Sequence, residues 1–272
     1  MKELQTIIFS KDRAFQLDAC IKSLLHFSSD KYDILVLYKT TTELYDSQYK
    51  LLAQTYPTVS FVREIENRLI NQTIEIMMGS KYVLFVVDDT LFYREFSLSD
   101  ALEFLDDSDN SLGFSLRLGK NTTFCHVANH EQKSPYFKYL LKNVMLFSWI
   151  NQEHDFGYPL EVSSSIYATS GIILFLKPYL NKEKADPSFI ESKIHNCRNK
   201  IAKVKPNLLC FVNSVAFSCP VNLTKRGKGH FGREKRYSIN ELSDLFEKGV
   251  RFDLSKLNGL TVKGCHQEIE LI

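Results

Sequence analysis

Short β-branched or apolar runs alternate with stretches of helical spacing through the first ninety residues, the pattern of successive βαβ units and a mainly parallel sheet. Thr6 to Phe9 predicts a first strand. The next stretch sets Ala14, Leu17, Ile21, Leu24 and Leu25 three and four apart, which gathers them on one face of a helix. Ile34 to Tyr38 predicts a second strand. Leu44, Gln48, Leu51 and Leu52 share a stripe on a helix that stops before Pro57, and Val59 to Val62 predicts a third strand. Ile70, Ile74 and Met77 line up on a third helix, which Gly79 can end in the left-handed conformation that glycine adopts cheaply. Tyr82 to Val87 is apolar at nearly every position, as a central strand covered on both faces must be.

From Asp106 the regularity fades and the pattern turns α+β-like. Leu112 to Leu118 predicts one more strand, and Ser238 with Glu241 three residues on forms a capping box for a helix ending before Gly249. No repeat, low-complexity tract or Pro/Gly/Ser linker marks a boundary, so a single domain over 1–272 is expected. A soft division near residue 120 separates a nucleotide-binding half, 1–120, from a substrate half, 121–272.

Composition adds little beyond a globular class: 272 residues, 44% hydrophobic and 24% charged, suffice for a large core. A net charge of +2 marks the whole chain as neither a nucleic-acid nor a membrane binder, so no nucleic-acid partner is expected and any membrane contact is peripheral. The six cysteines are scattered without C-x-x-C spacing, which argues against zinc or a disulfide framework and for buried thiols in a reducing compartment. Ile7, Ile8 and Phe9 make too brief an apolar run for a signal peptide or spanning helix, so a cytoplasmic protein without a transmembrane segment is expected. The N-x-[ST] sequons at Asn71, Asn121 and Asn222 are then chance matches.

Candidate chemistry concentrates where the predicted strands end. Asp88 and Asp89 follow six apolar residues at the carboxyl end of a buried strand, where open α/β sheets bind ligands. Adjacent carboxylates there repel unless a cation lies between them and a phosphate, and Mg²⁺ or Mn²⁺ suits such oxygen ligands. The plain alternative is one capping aspartate and one solvated one. Phe9-Ser10-Lys11-Asp12-Arg13 closes the first strand and opens a helix, a natural anion site with two cations, or else Asp12 is a helix cap beside solvated charges. Tyr38 and Lys39 end the second strand on the same edge, where the tyrosine could stack on a nucleobase or be an ordinary strand-end residue.

These residues resemble the donor half of nucleotide-sugar-dependent glycosyltransferases with the A-type, Rossmann-like fold: Phe9 to Arg13, Val36-Leu37-Tyr38-Lys39, and Phe85-Val86-Val87-Asp88-Asp89. The likeness continues through Phe114 to Gly119, Tyr158-Pro159-Leu160, Asp186-Pro187 with Glu191, Pro220-Val221-Asn222 and His266-Gln267-Glu268. It implies a single glycosyltransferase domain with an acceptor-side second half, and a metal-dependent transferase that moves sugar from a nucleotide-sugar, a UDP-sugar given the metal motif, to a saccharide or lipid-linked acceptor. It assigns Mn²⁺ or Mg²⁺ and the donor diphosphate to Asp88 and Asp89. Because the chain reads Asp-Asp-Thr rather than Asp-x-Asp, Asp89 is favoured on the metal and Asp88 nearer the ribose or sugar. Phe9, Ser10, Lys11, Arg13, Tyr38, Lys39 and Arg117 become donor-binding candidates, although Arg117 could equally hold acceptor or pair with a surface carboxylate.

The resemblance also places a general base at an acidic helix start after the metal motif, which Glu191 matches, with a helix begun by Ser188. A cap in the first turn explains Glu191 equally well, and Glu161 and Asp155 stand in reserve. It supplies a late histidine to the metal, here His266, although a lone histidine has many other uses. Trp149 is assigned to the core. Gly227 to Gly232 spells the dinucleotide fingerprint but follows no strand, and the cations around it suggest a basic loop over a pyrophosphate or a merely solvated loop. Two rivals remain: a nucleotidyltransferase, which would need a Gly-rich basic loop after the first strand, and a non-catalytic nucleotide-sugar-binding protein.

Overall fold

The computed structural model describes residues 1–222 and 237–272. Its first half follows the alternation of the sequence: β1 (Lys2–Lys11), α1 (Ala14–Phe27), β2 (Asp33–Lys39), α2 (Glu43–Thr55), β3 (Val59–Arg63), α3 (Leu69–Met77) and β4 (Ser80–Val87). Then come β5 (Thr90–Phe92), α4 (Leu98–Asp106) and β6 (Ser111–Ser115). The remainder holds β7 (Phe124–Cys125), β8 (His130–Glu131), β9 (Lys138–Tyr139), β10 (Val144–Ser148), β11 (Ser164–Ala168) and α5 (Thr169–Leu176). It closes with α6 (Pro187–His195), α7 (Arg198–Ile201), β12 (Asn207–Phe211), β13 (Ala216–Ser218) and α8 (Ile239–Glu247).

Nine strands join in one sheet in the order β3-β2-β1-β4-β11-β6-β12-β10-β9, so both halves of the chain contribute to it. The four strands β1 to β4 are parallel, and β11 lies antiparallel between β4 and β6. The α/β architecture is therefore the one the sequence predicts, parallel in the first half and mixed in the second. Chain order reverses at β1: β2 and β3 extend to one side, and β4 returns to the other. That reversal opens a crevice outside the carboxyl ends of β1 and β4.

Alternation along β1 and β4 feeds two cores, one on each face. Leu4, Ile8, Leu84 and Val86 pack with Leu17 and Ile21 of α1, while Ile7, Phe9, Val83 and Phe85 pack with Ile74 of α3 and Ile190 of α6. Burial of each such side chain contributes about 1.5–3 kcal/mol, which fixes the strand ends that carry polar residues.

Two predicted helix ends are observed as expected. Gly79 follows α3 with φ of +88°, and Ser238 caps α8 in a reciprocal box with Glu241, with Gly249 beyond at φ of +79°. The predicted strand over Leu112 to Leu118 is shorter, ending at Ser115. Leu116 enters one core and Leu118 the other, so the apolar run reflects burial on both sides of a turning chain. At Gly119 a Cβ would stand 2.4 Å from the Ser214 nitrogen, which only glycine avoids. Five of the six cysteines are buried, and Trp149 is buried with its Nε1 donating to the Lys205 carbonyl at 2.9 Å. Among the described residues no helix is long and apolar enough to cross a membrane. The glycine-rich basic stretch from Lys225 to Arg236 lies outside the described residues.

Candidate active site

The crevice is a cavity of about 570 Å³ bordered by the ends of β1, β2, β3 and β4 and by the start of α6. At its floor the turn from β1 to α1 is tied to the end of β4. Oδ2 of Asp88 accepts from Ser10 Oγ at 2.9 Å and from the Lys11 N–H at 3.1 Å, and Oδ1 accepts from Arg13 at 3.0 Å. The Arg13 N–H donates to the Tyr49 hydroxyl at 3.2 Å, and that hydroxyl lies in a short hydrogen bond with Ser10. This chain of donors ends on the Asp88 carboxylate, and low surrounding polarity strengthens each link. Asp12 bends the turn with φ of +55°, a conformation aspartate tolerates better than most residues, and its carboxylate accepts from Thr41 N–H and Oγ1 at 2.8 and 2.9 Å.

Three expectations change here. The anion that the α1 turn receives is the Asp88 carboxylate itself. Arg13 is 9% exposed and borders the cavity, and it bonds Asp88, Asp89 Oδ2 at 3.1 Å and the Asn222 carbonyl at 2.6 Å, so it clamps the aspartate pair. Asp12 caps nothing, because the capping position of α1 is Arg13. Around the rim, Lys11 and Lys39 border the cavity with Glu64, to which Lys39 pairs at 3.5 Å. Phe9 also borders it, with its ring stacked on Phe85 in the core. Tyr38 does not. Strand alternation turns its ring away to stack on Tyr49 at 4.7 Å.

Glu191 borders the same cavity from α6. The helix begins at Pro187, and its cap is Asp186, which accepts from the Phe189 N–H at 2.8 Å; the predicted start at Ser188 is one residue late. Capping therefore does not explain Glu191. Its carboxylate accepts from the Tyr158 hydroxyl at 3.0 Å and from the Val162 N–H at 3.1 Å, and burial, followed by the Glu161 charge, raises its pKa. Arg117 is buried against Glu161 at 3.6 Å and does not border the cavity, so the structure gives it a carboxylate partner and no donor contact. Glu161 also accepts from Ser163, Ser164 and Ser165, and Asp155 from Gln132; neither borders the cavity.

Among the described residues no three His, Cys, Asp or Glu side chains gather into a metal cage. A Mg²⁺ or Mn²⁺ that shares substrate phosphate oxygens needs only one or two carboxylates, and Asp89 fits that use. It borders the cavity, and burial together with Asp88 raises its pKa despite the opposing pull of Arg13, a strain that further positive charge would relieve. Asp88 borders the cavity as well, with Oδ2 taking two donors and Oδ1 the Arg13 guanidinium, so it has less acceptor capacity left for a cation than Asp89. His266 borders the cavity too, and burial, then Arg117 and His126, push it down to about 3, leaving the neutral imidazole that metals bind.

Sequence reasoning missed Glu64 and Asn67 after β3, Lys184 before α6, and the Val162 N–H. Glu64 could have been found by register, since it follows β3 as Lys39 ends β2. The others come from irregular chain that carries no periodic signal.

No family model matches the chain. The fold is the A-type glycosyltransferase fold: a crystal structure of residues 1–349 of TarS from S. aureus aligns with a TM-score of 0.51 at 14% identity, over 80% of this chain and 61% of that one. The same fragment in complex with UDP aligns with a TM-score of 0.51 at 13% identity, with the same coverage. In sequence, an alignment 187 positions long that covers 62% of the chain is 30% identical to the bifunctional glycosyltransferase pgtA of Dictyostelium discoideum. The matched stretch spans only 24% of that relative's length.

Proposed function

We propose that the chain is a glycosyltransferase domain that moves a sugar from a nucleotide-sugar donor, a UDP-sugar, to a hydroxyl of a saccharide or glycolipid acceptor, with Mn²⁺ or Mg²⁺ at the donor. One observation carries this reading: Asp89, just after β4, and Glu191, on α6, border a single cavity. Similarity to pgtA supports the reaction class, and TarS, whose fold matches, is known in complex with UDP.

In this reading residues 1–120 hold the donor and residues 121–272 present the acceptor. Asp88 and Arg13 keep the floor rigid, while Lys11 and Lys39 face the diphosphate. Asp89, with His266, would hold the divalent cation, which when bound supplies charge to neutralise the departing diphosphate. Glu191 takes the proton of the acceptor hydroxyl as its oxygen bonds the sugar carbon; the bond from that carbon to the phosphate oxygen breaks, and the nucleoside diphosphate leaves with the electron pair.

Calorimetry of UDP with Mn²⁺ and with EDTA tests the donor site. Affinity should fall at least about tenfold in EDTA, since the carboxylates would then face the phosphates directly. Equal affinity in both would remove the metal from the account. Tight donor binding with no turnover on any saccharide or glycolipid acceptor would favour the non-catalytic binding protein.

A further inference from the structure

The reserve acid Glu161 and the displaced Arg117 lie beside Glu191 without bordering the cavity, and a donor-binding role explains neither. Arg117 is 6% and Glu161 2% exposed, and the guanidinium Nε stands 3.6 Å from Glu161 Oε1. Three further donors converge on Glu161: the Ser163 and Ser164 N–H groups and the Ser165 hydroxyl. The carboxylate of Glu161 is thus saturated by donors of Ser163 and of the first two residues of β11. Glu191, near enough to feel both Glu161 and Arg117, receives only the Tyr158 hydroxyl and the Val162 N–H. Val162 follows Glu161 directly, so the residue that takes the cation also fixes the backbone donor that orients Glu191.

We propose that Glu161 and Arg117 are positioning residues for Glu191: Glu161 engages the guanidinium, and Glu191 is left on two neutral donors, able to exchange a proton with a bound acceptor hydroxyl. The inference rests on the reading of Glu191 as general base. Two carboxylates placed differently around one cation meet different surroundings, Glu161 the guanidinium and three further donors and Glu191 two neutral donors, which is how buried acid pairs acquire separate roles. The charged and titratable groups around Glu191 agree with this division. From the 158–165 segment come Tyr158 and Glu161, from the stretch after β6 comes Arg117, and from α6 itself come Asp186 at its start and His195, which stacks on Tyr158 at 4.0 Å. Lys184 borders the cavity on the open side. Burial and the Glu161 charge raise the Glu191 pKa, while Arg117 opposes them.

The sign of the test follows. Glu161→Gln removes the negative neighbour and leaves the charge of Arg117 to Glu191, which then releases its proton at lower pH. A base works only when unprotonated, so the acidic limb of kcat should move down by about one unit, with donor KM unchanged. A purely structural Glu161 would lower the melting temperature and leave the limb in place. The protonated-carboxyl infrared band that Glu191→Gln abolishes should show the same downward midpoint in Glu161→Gln, whether or not transfer occurs. Tyr158→Phe, which leaves no orphan charge and so keeps the test open if Glu161→Gln does not fold, should move that midpoint up by a few tenths of a unit, roughly the loss of one neutral hydrogen bond. Midpoints that stay at the wild-type value in the folded variants overturn the inference. Full transfer by Glu191→Gln instead overturns the base reading and leaves the infrared result standing.

Discussion

Two buried guanidinium groups each serve a pair of carboxylates, Arg13 beneath the β1–β4 mouth and Arg117 beside α6, but they divide their charge differently. Arg13 touches both partners, Asp88 at 3.0 Å and Asp89 at 3.1 Å; Arg117 touches Glu161 and stands off from Glu191. In both places one carboxylate takes three or more donors and its neighbour fewer, with a raised pKa; Asp88 and Asp89 both border the cavity, whereas of the second pair only Glu191 does. The contact at Asp89 keeps a guanidinium bond on an acid that a divalent cation can ionise fully. The gap at Glu191 leaves an acid on neutral donors, able to pick up a proton. In the proposed reading, placement of the cation relative to the less encumbered acid separates a phosphate-side site from a proton-handling one.

The largest effect expected is on stability. Arg13→Met strands the buried Asp88 carboxylate, the partly buried Asp89 carboxylate and the Asn222 carbonyl, and should cost about 3–5 kcal/mol in denaturant titration. Arg117→Met, which breaks one longer contact, should cost less. Equal losses, or an Arg13 loss below about 1 kcal/mol, would break the contrast, because a solvated pair is worth no more than that.

Asp89→Asn comes next. Arg13 keeps its bond to Asp88 and the repulsion between the aspartates disappears, so the melting temperature should hold or rise slightly. Turnover should fall at least roughly a hundredfold, as the loss of a few kcal/mol of charge stabilisation on the leaving group implies. A less stable but active protein would make Asp89 structural.

The two regions were unequally legible. The donor side is built from contiguous runs, Ser10 to Arg13 and Asp88–Asp89, set at strand ends that alternation and the apolar β4 pattern expose. What stayed hidden there was direction: nothing in sequence says that Arg13 turns inward to Asp88 or that strand parity turns Tyr38 onto Tyr49. The second region assembles Arg117, Tyr158, Glu161 and Glu191 from irregular chain and a short helix. Their meeting depends on β11 inserting antiparallel between β4 and β6, a long-range pairing with no local signal. Glu191 comes from resemblance alone, and only the structure shows that the Tyr158 hydroxyl and the Val162 N–H hold its carboxylate, with Glu161 and Arg117 beside it.

The assignment of Glu191 is the central claim, and one variant tests it most directly. Glu191→Gln keeps the size of the side chain; its amide oxygen can accept from the Val162 N–H and its NH2 can donate to the Tyr158 hydroxyl, so the fold and the donor site should survive. Calorimetric affinity for UDP with Mn²⁺ should match that of wild type, while single-turnover transfer from a UDP-sugar falls by about 10²–10⁴-fold, the usual contribution of a positioned general base. Unchanged transfer at unchanged affinity would contradict the account.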